Sequence, residues 1–127
     1  MKWLTTGAML LAAISTAAHA QPESSKPPDL QCNVGPVSKV VGGNGWLVYS
    51  CSRPDTLVFV AEGQNPASPF YFLLYRADDG GRRLTGEGTG AKAATEPAFR
   101  EIESLTSQQV AGLIAETRAS IAPKQRE

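Results

Sequence analysis

Three short runs decide the fold: Trp46-Leu47-Val48-Tyr49-Ser50-Cys51, Thr56-Leu57-Val58-Phe59-Val60-Ala61 and Phe70-Tyr71-Phe72-Leu73-Leu74-Tyr75. Each is six residues long and rich in β-branched and aromatic side chains, which suits a strand and is too short for an ordinary helix. Turn signals separate them. Ser52 to Asp55 turns around Pro54, and Glu62 to Pro69 carries Asn65-Pro66 and Pro69. Working outward, Gly42-Gly43-Asn44-Gly45 reads as a turn after a short strand at Val37 to Val41, since glycine and asparagine reach positive φ at little cost. Asp78-Asp79-Gly80-Gly81 reads as a hairpin turn into a more polar strand at Arg82 to Glu87. Connections this short leave no room for crossover helices, so the strands form an antiparallel meander.

The last third changes period. Thr95-Glu96-Pro97 reads as a helix start, with Thr95 as cap and Phe99, Ile102 and Leu105 as its apolar stripe. Thr106-Ser107-Gln108-Gln109 matches a capping box, and Val110, Leu113, Ile114, Thr117 and Ile121 form a second stripe at helical spacing. Strands first and helices last predict an α+β fold: an antiparallel β-meander of four to five strands with two C-terminal helices packed on one face.

Two short helical stripes can cover one side of such a sheet. The run Phe70 to Tyr75 is apolar on both sides, so its second face is either closed by the leader and loops or left as a contact surface. The aromatics Trp46, Tyr71 and Tyr75 are the candidates for that face, together with Asn65, Pro66 and Ser68 of the long loop, which exceeds the usual hairpin length. Glu87, framed by glycines in Gly86-Glu87-Gly88-Thr89-Gly90, is the remaining candidate site residue. That segment matches neither the dinucleotide fingerprint nor the phosphate loop, and it reads either as a tight connection or as a close approach of backbone to a ligand.

The amino terminus has the parts of an export signal. Lys2 is followed by a mostly apolar run from Leu4 to Ala13, and Ala18-His19-Ala20 offers small residues three and one positions before a cut. The run is shorter than the roughly 20 residues that span a bilayer, and no stop-transfer cluster follows, so no stable membrane anchor is expected. Cleavage leaves Gln21 to Glu127, with 21–29 a Pro/Ser-rich leader, 30–122 the folded domain and 123–127 a charged tail. A periplasmic or secreted location follows.

Export changes the chemistry. His19, the single histidine, leaves with the signal, as does Lys2, so eleven basic face twelve acidic side chains. This near-neutral balance gives no electrostatic case for nucleic acid. Cys32 and Cys51 form an even pair in an oxidising compartment and are expected to be bonded. Without histidine or free thiol, the common catalytic triads and zinc sites have no members, and no metal, cofactor or catalytic residue is assigned. Carboxylate chemistry at Glu87 is the surviving enzymatic alternative. Tyr49-Ser50-Cys51 is similar to the tyrosine beside a cysteine in small periplasmic lysozyme inhibitors. That family's later serine and lysine loop is not recognisable, and its chains are still β where this one turns helical, so no family is assigned. The reading is a non-enzymatic exported binding or accessory domain that meets a protein or envelope component, with an inhibitor of an envelope-directed enzyme as the narrower alternative. Its oligomeric state is not legible in the sequence.

The cysteines stand 19 positions apart. Closing a loop of that size is worth about 3 kcal/mol in the chain-entropy view, which corresponds to about 10–20 °C of melting temperature for a domain this small. Replacing both cysteines by serine should therefore lower the thermal midpoint by that amount while the far-ultraviolet circular dichroism of the folded state is retained. An unchanged midpoint would contradict the bridge.

Overall fold

A computed structural model describes residues 30–121. The expected signal (1–20), leader (21–29) and tail (123–127) lie outside the described residues. The chain forms β1 (Val34–Val41), β2 (Asn44–Ser50), β3 (Leu57–Ala61), β4 (Phe70–Arg76), β5 (Arg82–Gly88), α1 (Lys92–Glu103) and α2 (Ser107–Ser120). The five strands lie in sequence order in one antiparallel sheet, and the helices pack on one side of it. This is the α+β meander that the strand spacing predicts. β1 starts at Val34, before the expected Val37, because a bulge between those residues carries the pairing on to Ser50.

Register sorts the side chains. Trp46 stands opposite Ala61, Val48 opposite Phe59, and Phe59 opposite Phe72, all on the helix side. Trp46, Val48, Leu57, Phe59, Phe72 and Leu74 are each 2% exposed or less. Burying one such side chain contributes about 1.5–3 kcal/mol. The Trp46 and Phe72 rings sit 5.2 Å apart, and Trp46 Nε1 donates to the Val41 carbonyl at 3.1 Å, so the indole is packed and satisfied.

α2 lies along β1 and β2, while α1 crosses from β1 to β4 and β5. The α2 capping box forms as the sequence predicts. The Gln109 amide donates to Thr106 Oγ1 at 3.1 Å, and Gln109 Oε1 accepts from the Thr106 amide at 2.8 Å. Ile121, expected in the α2 stripe, instead closes the helix as its C-cap and is exposed. α1 begins at Lys92, earlier than the expected Thr95. Its N-cap is Ala91, which makes no side-chain cap, and Pro97 lies inside the helix. Thr95 is buried rather than capping. The early start brings Ala98 against the β1–β2 turn, where a Cβ on Gly42 (φ +61) would come 2.5 Å from the Ala98 amide nitrogen. The Gly42 amide donates to Glu101 Oε1 at 2.8 Å, which pins α1 to that turn.

Ser50 is the one polar side chain in the run Trp46 to Cys51, and it faces inward. Its Oγ lies 2.7 Å from Thr117 Oγ1 of α2, both residues being buried. Thr117 Oγ1 donates to the Ile114 carbonyl at 2.6 Å, so Ser50 is the donor of the pair. Thr117→Val removes the acceptor and strands the Ser50 hydroxyl, which costs about 1–3 kcal/mol. Adding Ser50→Ala should recover part of that loss. Chemical denaturation of the two single variants and the double variant measures the coupling, and purely additive effects would contradict the buried pair.

Candidate functional site

The strand side chains that do not face the helices form a second, open surface. Cross-strand partners place Ser38, Leu47, Val60, Tyr71 and Glu87 in one row, and Tyr49, Val58, Leu73 and Thr85 in the next. Tyr75 and Arg83 begin a third row. Leu47, Tyr49, Val58, Val60, Leu73 and Tyr75 are half-buried, and Tyr71 is 40% exposed. Among the described residues the helices lie on the opposite side, so the centre of this face is aliphatic and aromatic with charges at its margin.

The expected site residues divide. Tyr71 and Tyr75 stand on the open face, and Glu87 stands beside Tyr71. Trp46 does not belong there: register places it in the helix-side core with no exposure. The long loop also serves the other side. Asn65 is buried, its Nδ2 donating to the Gly45 carbonyl and its Oδ1 accepting from the Ala67 amide, each at 2.8 Å. Ala67 is fully buried in the helix-side core. Pro66 is exposed and Ser68 half-buried, but the Pro66 carbonyl accepts from the Ala91 amide at 3.1 Å and the Pro69 carbonyl from the Thr89 amide at 3.0 Å. The loop thus closes one end of the core against the entry to α1 and does not extend the open face.

The glycines at the end of β5 and just after it lie against protein. A Cβ on Gly90 would overlap the Ala67 carbonyl, and one on Gly86 would meet the Phe70 ring at 2.8 Å. Gly86 to Gly88 belong to β5, so the connection to α1 is only Thr89 to Ala91, and the close approaches of this segment are to protein backbone and rings.

Glu87 is exposed, lies on the sheet face, and lines none of the three cavities described. Its Oε1 accepts from the Tyr71 hydroxyl at 2.8 Å. That hydrogen bond, followed by burial and the carboxylate charge, raises the Tyr71 pKa above its ordinary value of 10.0. The largest cavity, about 310 Å³, is the seam between α1, α2 and β1. Its floor includes Phe59 and Ile102, each 1% exposed, and its rim carries the Lys39–Glu116 ion pair at 2.6 Å. Among the described residues no cluster of three His, Cys, Asp or Glu side chains could hold a metal ion, and no helix is long and apolar enough to cross a membrane. The Cys32 and Cys51 sulfurs are bonded at 2.07 Å at the far end of the sheet from the long loop.

No family model, curated protein or solved structure matches the chain.

Sequence reasoning missed Leu47, Tyr49, Val58 and Val60 as members of the open face. The available signal was the two-residue period itself, which assigns them together once any one partner is placed.

Tyr71 and Glu87 give a direct check of the face's geometry. A raised phenol pKa means that the neutral hydroxyl is favoured in the folded state. The effect is present below the ordinary value and is lost as pH rises through the folded one. In an ultraviolet titration, Glu87→Ala should bring the Tyr71 ionisation down toward 10.0. Identical titrations of the two proteins would contradict the contact.

Proposed function

We propose that this chain is an exported, non-catalytic binding domain that uses the open face of its sheet to contact a protein. The observation that carries the reading is the face itself: Leu47, Tyr49, Val58, Val60, Tyr71, Leu73 and Tyr75 form a contiguous apolar surface opposite the helices. Soluble monomers seldom expose patches of this kind, and large ones mark interaction sites. The rest of the molecule supports the same reading. Two of the candidate polar residues are held in structural contacts, Glu87 bonded to Tyr71 and Asn65 to Gly45. Export is supported by the first twenty residues and by a disulfide, which persists in oxidising compartments. An inhibitor of an envelope enzyme is the special case in which the partner is that enzyme.

The test is made on the full chain in producing cells, with a photo-crosslinking amino acid in place of Tyr71 or, as a control on the helix side, Arg100. The fraction outside the cytoplasm should contain a chain whose mass begins at Gln21. Illumination should give a discrete cross-linked protein species from position 71 and none from position 100. Failure of position 71 to cross-link, or a full-length mass in that fraction, would overturn the corresponding half of the reading.

A further inference from the structure

The occupant of the open face can be specified from the charges at its edge. This step rests on the binding reading above and names the partner. On β5 the open face carries Arg83, Thr85 and Glu87, opposite Tyr75, Leu73 and Tyr71 of β4. Arg83 and Glu87 are of opposite charge and lie two residues to either side of Thr85. Thr85 belongs to the row Tyr49, Val58, Leu73, Thr85, which runs straight across four strands. We infer that the face binds a second copy of this chain, sheet against sheet, about a twofold axis along that row.

The geometry follows from the symmetry. A half-turn about a line perpendicular to the strands keeps each strand over its own counterpart and exchanges the two ends. The row containing Tyr75 and Arg83 then lies over the row containing Tyr71 and Glu87 of the other copy. Each dimer gains two Arg83–Glu87 pairs, one on each side of the axis where it crosses β5. A twofold interface requires a surface to be its own complement, and one positive and one negative residue equidistant from the axis meet that requirement. Glu87 is prepared for the role: Oε1 is taken by the Tyr71 hydroxyl at 2.8 Å, which leaves Oε2 as an acceptor. Arg83 already donates to Asp79 at 2.9 Å and to the Arg82 carbonyl at 3.3 Å, and its guanidinium has five N–H donors in all. The half-turn also carries the Glu62 end of β3 toward the β2–β3 turn that holds Arg53.

Away from the β5 edge the contact is apolar. Tyr49, Val58 and Leu73 of one copy lie over their counterparts in the other, with Leu47 and Val60 beside them, strands within about 30° of alignment and sheets about 10 Å apart, as in a β-sandwich. Both outer layers are then helical. Five strands make a face roughly 24 Å wide. A patch of that width is at the lower end of stable interfaces, which supports a dimer of micromolar rather than nanomolar strength.

Sedimentation velocity on the purified, disulfide-bonded chain tests the inference. Wild type should pass from monomer to dimer as concentration rises. Arg83→Glu makes both rim positions acidic and Glu87→Arg makes both basic, so each variant alone should dimerise about tenfold or more weakly. An equimolar mixture of the two variants restores both pairs and should form a heterodimer close to wild-type strength. Both residues are exposed, and circular dichroism confirms that the variants fold. Leu73→Lys, at the centre of the face, should abolish the dimer. A wild type that stays monomeric at all concentrations overturns the inference, as does a dimer indifferent to these changes or a mixture no stronger than its components. If the chain is monomeric while position 71 still cross-links a different protein, the dimer fails and the binding reading stands. If it is monomeric and position 71 cross-links nothing, both fail.

Discussion

A strand residue can face only one side of its sheet, and the described residues have helix enough for one side. The rest of the structure depends on that imbalance. The large side chains Trp46, Phe59 and Phe72 share the side that α1 and α2 cover, so the core is aromatic and dense there. The same register turns Leu47, Val60 and Tyr71 outward. A sheet meant for water on its second face usually alternates apolar with polar residues. Here the central strands are apolar on both sides, as in strands that are covered twice. The surplus lies mainly on β2, β3 and β4, with Val40 of β1 exposed beside it. The edges carry Ser38 on β1 and Arg83, Thr85 and Glu87 on β5, which moderates the two exposed strand edges.

The segments that look most like ligand loops serve this packing. The prolines and Asn65 of the β3–β4 loop, and the glycines after β5, come from opposite ends of the β4–β5 hairpin and meet at one end of the core. Gly90 lets the Ala67 carbonyl approach, and Asn65 donates to the Gly45 carbonyl and accepts from the Ala67 amide. Rigidity at that end fixes where α1 begins, and α1 in turn is held to the β1–β2 turn through Gly42 and Glu101. The loop, the glycines and α1 are therefore one structural unit.

Much of the fold was legible because its signals are local. The runs Thr56 to Ala61 and Phe70 to Tyr75 declare strands by composition, and Thr106 with Gln109 declares the start of α2 by a pairing that needs no tertiary contact. The start of α1 was not legible, because Ala91 offers no capping side chain and Pro97 sits within the helix, where its usual place in a first turn is a misleading cue. Strand parity was not legible either. In Trp46 to Tyr49 every residue is apolar, so hydropathy carries no two-residue period. The single polar residue that follows, Ser50, faces the core, where Thr117 satisfies it. That inversion sends Trp46 to the helices and leaves Leu47 and Tyr49 outside. The candidate site was accordingly half readable: Tyr71, Tyr75 and Glu87 share the open side, while Trp46 and Asn65 are parts of the core.

Among the described residues nothing covers the outward apolar face, and the proposed binding role depends on that face staying open in the monomer. Methyl relaxation by a soluble paramagnetic agent measures this residue by residue. At high dilution the methyls of Leu47, Val58, Val60 and Leu73 should relax as solvent-exposed groups while those of Val48, Leu57 and Leu74 stay protected. At high concentration the first set should become protected as well. Protection of the first set at every dilution would show that the monomer covers its own second face and would contradict the account.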